Sequence, residues 1–351
     1  MARRDKVSET VTICVPVYQA ASFVDETLAH IAAQSHHKLR ILVSIDLSDD
    51  ESAAHCSKFA ADPRFDIVVQ TERRGWIDNI NSLIKRVETD DYCLIPHDDL
   101  IEPGYIAALR AALDRRPQAA VAYTDIQGFG ALTGWAIQKP IVGARFDRVM
   151  TFLSQHFDAV AFRGLVRRSR AGNDLALKSN PFNGYAADTL WMLQVLQHGN
   201  LVRVRSEPGH GYRKRYRVGS QHHNWLRWTI HRRLGAWIEH CGQCAELALT
   251  LPFNDAERAL IVQATLMRGI KRFKNMGWPP HHDDLSEAHR AMVTGLLTAR
   301  IAGLSVRPGA IARLRELPQY AAMTRSVWGE ADTQDLTAEY AAKRPQPADS
   351  D

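Results

Sequence analysis

Two adjacent carboxylates, Asp98 and Asp99, directly follow an apolar stretch that runs from Tyr92 to Ile95. The stretch predicts a buried strand, and the end of such a strand is a costly place for charge without a counter-charge. Mg²⁺ and Mn²⁺ prefer carboxylate oxygens and take further ligands from substrate phosphates and water. The pair therefore indicates a divalent metal site. The alternative is a helix cap, in which Asp99 accepts backbone N–H groups of the following turn.

Strand and helix patterns alternate from residue 11 to residue 127. The strands are continuous apolar segments rather than alternations of apolar and polar residues, which predicts an α/β fold with a mostly parallel sheet and helices on both faces. Strands are predicted at 11–17, 38–46, 65–70, 91–99 and 119–127, and helices at 20–34, 49–62, 75–89 and 103–117.

Four polar clusters follow these strands, at Tyr18–Gln19, Asp46–Ser48, Arg73–Arg74 and His97–Asp99. In open parallel sheets, ligands bind at the carboxyl ends of the strands. We therefore expect the four clusters to converge in space, although they lie far apart in the sequence.

Helix-end residues are predicted for three helices. Ser22 is a plausible cap of the first helix, and Gly199 follows the helical pattern of 186–199 at the position where glycine often ends a helix. Asn254 and Glu257 have the spacing of a capping box, in a helix that Gly277 would end.

Five segments together resemble the family 2 glycosyltransferases, which have a GT-A fold. They are "VTICVPVYQAASFVDETL", "ILVSIDLSDDES", "RRGWIDNINSLI", "DYCLIPHDDLIEPGYI" and "NGYAADTLWMLQVLQHGNLVRVRS". The resemblance implies an enzyme that moves a sugar from a nucleotide-diphosphate sugar to a hydroxyl acceptor, such as a surface glycan or glycolipid, with inversion at the anomeric carbon.

The resemblance also implies a metal site that uses Mn²⁺ or Mg²⁺. Asp98 matches the last acid of the family's Asp-x-Asp motif, and Asp99 is the acid that follows it. Pro96 replaces the first acid, and His97 stands in the middle position, where it could supply a hydrogen bond to the donor.

Further donor-binding residues are implied by the same motifs. Pro16 and Tyr18 match the first-strand motif that lines the nucleotide pocket, with a simple strand terminator as the alternative for Pro16. Asp46 matches the acid that accepts the N–H of the base, although Ile45 replaces its usual acidic neighbour. A turn-initiating role is the alternative for Asp46.

Asn79 and Arg73 match a helix asparagine and the polar turn before it. The Arg73 guanidinium could bind the diphosphate through two hydrogen bonds, or it could be a solvated surface residue. In the later segment "YRKRYRVGSQHHNW", the residues Arg213, Arg215 and His222 are candidates to close over the diphosphate, and His222 could add a metal ligand.

Asp188 is the predicted general base, which would remove the proton of the attacking hydroxyl. It matches the second acid of the family's Glu-Asp pair, and Ala187 replaces the first. The alternative is an acid in the first turn of a helix, stabilised by the helix dipole. The three departures at Pro96, Ile45 and Ala187 support a second hypothesis, a non-catalytic protein that binds nucleotide sugars or serves as a scaffold.

The composition narrows the class of protein. The net charge of +5 is too small to indicate nucleic-acid binding and suits anionic small substrates or an acidic membrane surface, with a solvated basic surface as the alternative. The five cysteines are scattered, and the Cys241–Cys244 pair lacks the partners of a zinc site. Neither a signal peptide nor a spanning helix is expected, so we predict a cytoplasmic protein.

The domain organisation follows from these patterns. We predict an arm at 1–10, the glycosyltransferase domain at 11–220, a helical region at 221–330 and a disordered tail at 331–351. Within the helical region, Trp225, Trp228 and Trp237 lie near several arginines and could form a helix at the inner membrane surface. Core packing is the favoured role of these tryptophans, so membrane contact is kept as the alternative. A polar loop is favoured over a metal site for "HHDD" at 281–284.

Overall fold

The computed structural model describes residues 9–156, 158–217, 228, 230–273 and 294–301. His222, Trp225, Gly277 and the 281–284 segment, together with the predicted arm up to residue 8 and the tail, lie outside the described residues. The chain divides into two compact units. The first comprises Met1–Phe152, Asp158–Lys178 and Asp188–Asn224, and the second comprises Leu153–Phe157, Ser179–Ala187 and Trp225–Asp351. The predicted domain borders at 10, 220 and 330 stay predictions.

The main sheet of the first unit has seven strands in the order β10-β6-β9-β4-β1-β2-β3. Its core is the parallel set β3-β2-β1-β4, as the continuous apolar segments predict. The strands are β1 (Val11–Val17), β2 (Leu39–Ile45), β3 (Phe65–Val69), β4 (Asp91–Leu94), β6 (Ala119–Tyr123), β9 (Leu165–Arg167) and β10 (Asn200–Arg203).

Strand β9 departs from the predicted parallel arrangement. It lies between β4 and β6 and runs antiparallel to both. The strand has only three residues and comes from the region rich in glycine and arginine, where the sequence has no readable period. Close approach explains a glycine there, because a Cβ on Gly164 would lie 2.3 Å from the carbonyl oxygen of Ala122.

A second sheet of four strands, in the order β5-β11-β7-β8, was not predicted. Its strands are β5 (Leu100–Ile101), β7 (Ile126–Gly130), β8 (Gly134–Ala136) and β11 (Tyr212–Tyr216). The predicted single strand at 119–127 is wrong in this respect, because β6 ends at Tyr123 and the chain enters the second sheet at Ile126. Thr124 and Asp125 make this change of sheet and are buried.

The helices are α1 (Val24–Ala32), α2 (Ser52–Ser57), α3 (Gly75–Lys85), α4 (Tyr105–Arg115), α5 (Arg145–Gln155), α6 (Arg168–Ala171), α7 (Ala187–Leu196), α8 (Ile230–Leu249) and α9 (Asp255–Phe273). A 3-10 turn spans Val160–Arg163, and residues 294–301 are helical.

Two of the three predicted helix-end assignments were wrong. Helix α1 is capped at Phe23 without a side-chain hydrogen bond, so Ser22 is not its cap. Gly199 is absent from the glycines with positive φ, and it serves close packing instead, since a Cβ there would lie 2.7 Å from that of Ala120. The capping box is confirmed, because the backbone N–H groups of Asn254 and Glu257 each donate to the other's side chain at 2.9 Å.

The second unit contains α8 and α9, and its centre holds polar side chains with internal partners. Trp237 is 1% exposed and donates to the carbonyl oxygen of Gly269 at 3.0 Å, so it cannot face a membrane. Cys241 and Cys244 are buried free thiols, as expected for structural residues, and burial raises the pKa of Cys244 to about 11. Within the described ranges, no helix combines the length and apolarity needed to cross a bilayer.

Candidate active site

The carboxyl ends of β1, β2 and β4 bring together the polar clusters that the sequence separates. The Arg73 guanidinium carbon lies 3.6 Å from the centre of the Tyr18 ring, and Arg73 also contacts the Tyr18 hydroxyl. Nδ1 of His97 lies 3.1 Å from the carbonyl oxygen of Pro16. Because a carbonyl can only accept, this ring nitrogen carries the proton. The predicted convergence is confirmed for the clusters of Tyr18 and Arg73, and His97 lies beside Pro16, two residues before Tyr18.

Asp46 holds the turn that begins helix α3. It is 1% exposed, and its two carboxylate oxygens accept the backbone N–H groups of Arg74 at 2.7 Å and Gly75 at 2.9 Å. Nε of Arg73 lies 3.7 Å from the same carboxylate. The geometry therefore gives Asp46 a positioning role at the strand ends, and its contact with a nucleotide base stays a prediction.

The Asn79 side chain is buried and hydrogen-bonds strand β2. Its side-chain oxygen accepts the Ser44 hydroxyl at 2.6 Å, and its nitrogen donates to the Ser44 carbonyl at 3.0 Å. Since Asn79 is only 2% exposed, these contacts tie helix α3 to strand β2. The structure does not place it with the predicted donor-binding residues.

Asp98 lies at the mouth of the site beside an arginine that the sequence analysis did not select. Nε of Arg217 donates to Oδ2 of Asp98 at 3.0 Å, and Nη2 of Arg217 lies 3.4 Å from Nε2 of His97. In the described part of the chain, Oδ1 of Asp98 makes no hydrogen bond. One carboxylate oxygen of Asp98 thus stays available to a ligand.

Asp99 is buried, and its carboxylate is fully engaged. Oδ2 accepts the Tyr212 hydroxyl at 2.6 Å and Nε of Arg163 at 3.4 Å, while Oδ1 accepts the backbone N–H of Arg215 at 3.0 Å. Burial raises the pKa of Asp99, and the Arg163 guanidinium and the Tyr212 hydroxyl act against that shift. The contacts with Tyr212 and Arg215 join the segment between β4 and β5 to strand β11, and together with the Arg163 contact they disfavour Asp99 as the metal ligand that the sequence predicts.

Strand β11 presents two different faces because side chains alternate along a strand. Arg213 and Arg215 stack on the Phe129 ring, at 4.8 Å and 4.5 Å from its centre. Lys214 lies on the other face, 4.8 Å from the centre of the Tyr216 ring. Arg213 is therefore not on the face that carries Lys214, and its predicted contact with the diphosphate stays a prediction.

Lys214 is a half-buried ammonium that the sequence analysis missed. Burial and the nearby Arg163 lower its pKa to about 8, while Asp99, Asp188 and Asp98 act to raise it, so all three carboxylates lie within electrostatic range. Among the described residues, Lys214 makes no hydrogen bond or ion pair. The alternation of tyrosine and basic residues in "YRKRYR" could have revealed it, since that pattern sets Lys214 apart from the three arginines.

Asp188, the predicted general base, lies in the first turn of α7. Its Oδ1 accepts the backbone N–H of Thr189 at 2.8 Å, and no hydrogen bond to Oδ2 is found in the described part of the chain. Just before α7, Asn183 and Ala186 have φ values of 51° and 56°, which non-glycine residues rarely adopt. Such strain persists where the surrounding structure holds a residue in place, and it is frequent at functional sites.

The site fits a divalent ion only in a limited way. Asp98 offers one free carboxylate oxygen, whereas the oxygens of Asp99 and both ring nitrogens of His97 already have partners. No group of three or more metal-ligating side chains occurs among the described residues. Since Mg²⁺ sites commonly use one or two carboxylates and complete the shell with substrate phosphates, Asp98 can hold an ion together with a bound diphosphate.

Comparisons with known proteins agree with this geometry. The family model described as "Glycosyl transferase family 2" matches residues 12–171. Glycosyltransferase GlyG of Streptococcus pneumoniae is 25% identical over 104 residues, which are 29% of this chain and 35% of GlyG. The uncharacterized protein y4gI of Sinorhizobium fredii is 26% identical over 128 residues, which are 36% of this chain and 14% of that protein. The chain thus spans between 14% and 35% of the length of the curated relatives that it matches.

Among solved structures, S. aureus TarS 1-349 in complex with UDP-GlcNAc is similar with a TM-score of 0.64 and 16% identity. The match covers 93% of this chain and 92% of the TarS chain. At this identity the similarity concerns the fold, and it confirms the predicted GT-A architecture. Together with the strand-end site, these findings identify residues 12–171 as a domain of the family 2 glycosyl transferases.

Proposed function

We propose that the protein is an inverting glycosyltransferase that moves a sugar from a nucleotide-diphosphate donor to a hydroxyl acceptor. The observation that carries this proposal is the arrangement around Lys214. A half-buried cation without an ion-pair partner among the described residues lies within electrostatic range of two carboxylates, Asp98 and Asp188, that each have a free oxygen. A base, a metal-binding acid and a site for an anion are what such a transfer requires.

The donor end of the site is formed by Asp98, Lys214 and Arg217. Lys214 and Arg217 offer fixed positive charge to a diphosphate, which stabilises negative charge that develops on the leaving group. When bound together with the donor, Mn²⁺ or Mg²⁺ held by Asp98 would supply Lewis-acid stabilisation of the same charge. Pro16, Tyr18 and Arg73 border the adjoining edge of the sheet, where the nucleoside would lie.

The acceptor end is formed by Asp188. The acceptor oxygen attacks the anomeric carbon from the face opposite the diphosphate, and its proton passes to Asp188. The bond between the anomeric carbon and the diphosphate oxygen breaks, so the nucleoside diphosphate leaves with the bonding electron pair. This route inverts the configuration at the anomeric carbon.

The donor and acceptor are proposed at the level of chemical class. TarS 1-349 was solved with UDP-GlcNAc, which makes UDP-GlcNAc the first donor to test. A surface glycan or a glycolipid is the proposed acceptor, nucleic acid is not expected as a partner, and the proposed location is cytoplasmic, with contact at the inner membrane face kept open.

The experiment that tests this function measures release of UDP from UDP-sugars in the presence of Mn²⁺, with the wild type and with Asp188→Asn. Asp188→Asn should retain donor binding and lose turnover. Asp174→Asn, an acid in an irregular segment of the same unit, is a suitable control and should behave as the wild type. Equal turnover by Asp188→Asn and the wild type would contradict the assignment of the base.

A binding protein without catalysis is the second candidate. The engagement of Asp99, Asp46 and Asn79 in internal hydrogen bonds favours it, because these acids and amide would otherwise serve the donor. Calorimetry separates the candidates. Tight binding of UDP without any release of UDP from a panel of UDP- and GDP-sugars would support the binding protein.

A further inference from the structure

The hairpin of strands β7 and β8 and the segment after it expose large apolar side chains. Leu132, Trp135 and Ile137 are 56%, 56% and 63% exposed. Together with Val142, they make up four of the eight exposed large apolar residues recorded for the described residues, within only eleven positions. Single exposed apolar residues are ordinary, but several in one short segment indicate an interaction surface. We call residues 131–142 the apolar segment.

The charges within residues 126–146 all have one sign, and the exposed acid Asp147 follows them beside Gly143. Residues 126–146 contain no aspartate or glutamate, and the charged residues in this range are Lys139 and Arg145. Both are exposed. Exposed tryptophan and aliphatic residues beside basic residues are the composition of surfaces that bind the headgroup region of anionic membranes.

The sheet pairing places a further cation on the face of Trp135. Trp135 pairs with Gln127 on β7, and Gln127 pairs with Arg213 on β11, so the three side chains share one face. Strand β8 is the edge strand of its sheet and has three residues. An edge this short offers few backbone hydrogen bonds to an added strand, which disfavours a peptide as the occupant.

We propose that the apolar segment binds the surface of a lipid bilayer that contains anionic headgroups. Aliphatic Leu132 and Ile137 suit acyl chains better than a carbohydrate, which stacks on aromatic faces. Lys139, Arg145 and Arg213 outnumber Asp147 here, and this positive excess suits an anionic surface better than a second copy of this chain, which would bring the same excess together. Trp135 supplies an amphipathic ring of the kind enriched at membrane interfaces.

Cosedimentation with vesicles tests the proposal with the full chain and needs no turnover. We expect binding to phosphatidylcholine vesicles with about 30% phosphatidylglycerol, and weak binding to phosphatidylcholine alone. The double variant Trp135→Ser and Ile137→Ser should weaken binding about tenfold or more. Lys139→Glu should weaken binding to the anionic vesicles, with little change on neutral ones.

Met267→Ser is the matched control, because Met267 is 60% exposed but lies on α9 in the second unit, and it should bind as the wild type. Thermal unfolding of each variant shows whether the fold is kept. Equal binding by the double variant and the wild type would overturn the proposal, and so would absence of wild-type binding to both vesicle types. A dimer that light scattering detects in the wild type and that the double variant loses would instead assign the segment to a second copy.

The result of the vesicle-binding experiment is independent of the proposed activity. Release of UDP from a nucleotide sugar in vesicle-free solution tests the enzyme, and the double variant should keep that activity. Vesicle binding without turnover would support the membrane-binding surface and contradict the glycosyltransferase activity. Turnover without vesicle binding would support the activity and contradict the membrane-binding surface.

Discussion

The two ends of strand β4 both carry buried acids beside arginines, but only one end is electrostatically complete. At the amino end, Asp91 is fully buried, and Arg167 donates to its two oxygens at 2.9 Å and 3.1 Å. Arg110 lies 3.4 Å from the same carboxylate, and Arg167 also reaches Asp114 at 2.8 Å. Each charge at this end has a matched partner of the opposite sign.

At the carboxyl end, the same residue types occur, but within the described residues not every charged group has a partner of opposite charge. Asp99 is saturated, but Asp98 and Asp188 each keep a free oxygen within the described residues, and the Lys214 ammonium has a ring as its neighbour. A buried pair with good geometry holds strands together, whereas an unpaired cation is costly unless a ligand completes it. The comparison teaches that the completeness of the charge pairing, rather than the presence of buried acids, separates the functional end from the structural one.

The largest expected effect comes from Asp188. Loss of a general base lowers the rate by about 10²- to 10⁴-fold. Asp188→Asn should therefore reduce turnover of the donor by that factor, with the dissociation constant of UDP nearly unchanged. Initial rates and calorimetry measure the two quantities, and a parallel loss of UDP affinity would place Asp188 at the donor instead.

Substitutions at the amino end of β4 should change the stability of the protein rather than its activity. Asp91→Asn leaves Arg167 and Arg110 without their buried counter-charge, and breaking such a pair costs about 3–5 kcal/mol of unfolding free energy. Asp114→Asn is the matched control, because Asp114 is 55% exposed and exposed pairs contribute about 0–1 kcal/mol. Urea unfolding measures both, and equal stabilities would show that the pairing at Asp91 is not structural.

Lys214 should show opposite effects on stability and on binding. Its pKa of about 8 lies below the usual 10.5, so the unfolded chain binds more protons between these values, and stability should rise with pH across that window. Lys214→Met should remove this pH dependence and raise the unfolding free energy at pH 7 by on the order of 1–3 kcal/mol.

The same substitution should weaken UDP binding, because the diphosphate loses a half-buried counter-charge. In the wild type, UDP binding should weaken as the pH rises through about 8, when the ammonium loses its proton. Lys214→Arg keeps its charge and should bind UDP without that pH dependence. A Lys214→Met protein that is less stable and binds UDP normally would assign the lysine to the fold.

A smaller effect concerns the metal ion. With one free carboxylate oxygen at Asp98, Mn²⁺ should bind weakly to the protein alone and more tightly when UDP is present. Electron paramagnetic resonance of free Mn²⁺, titrated with protein in the presence and absence of UDP, measures this difference. Equally tight binding without UDP would require further protein ligands.

The sequence was sufficient for the parallel core and for the convergence of the strand ends, because the continuous apolar strands and the polar residues after them define both. It could not supply β9 or the second sheet, since three-residue strands have no readable period. Asp99 and Asn79 were assigned to the ligand because no local pattern shows their partners. Tyr212 lies 113 residues from Asp99, and Ser44 lies 35 residues from Asn79. Lys214 was missed because the alternation in "YRKRYR" separates it from the arginines but does not show which face packs inward, and that depends on the pairing of β11 with β5 and β7.

The most direct test of the central claim is the dissociation constant of UDP with Mn²⁺, measured by calorimetry for the wild type, Asp98→Asn and Asp114→Asn. Asp98 and Asp114 are the accessible acids of the two ends of β4, so each variant removes a charge from only one cluster. We predict that Asp98→Asn weakens binding about tenfold or more, and that Asp114→Asn binds as the wild type does. Equal affinities for all three proteins would contradict the assignment of the donor site to the carboxyl end of β4.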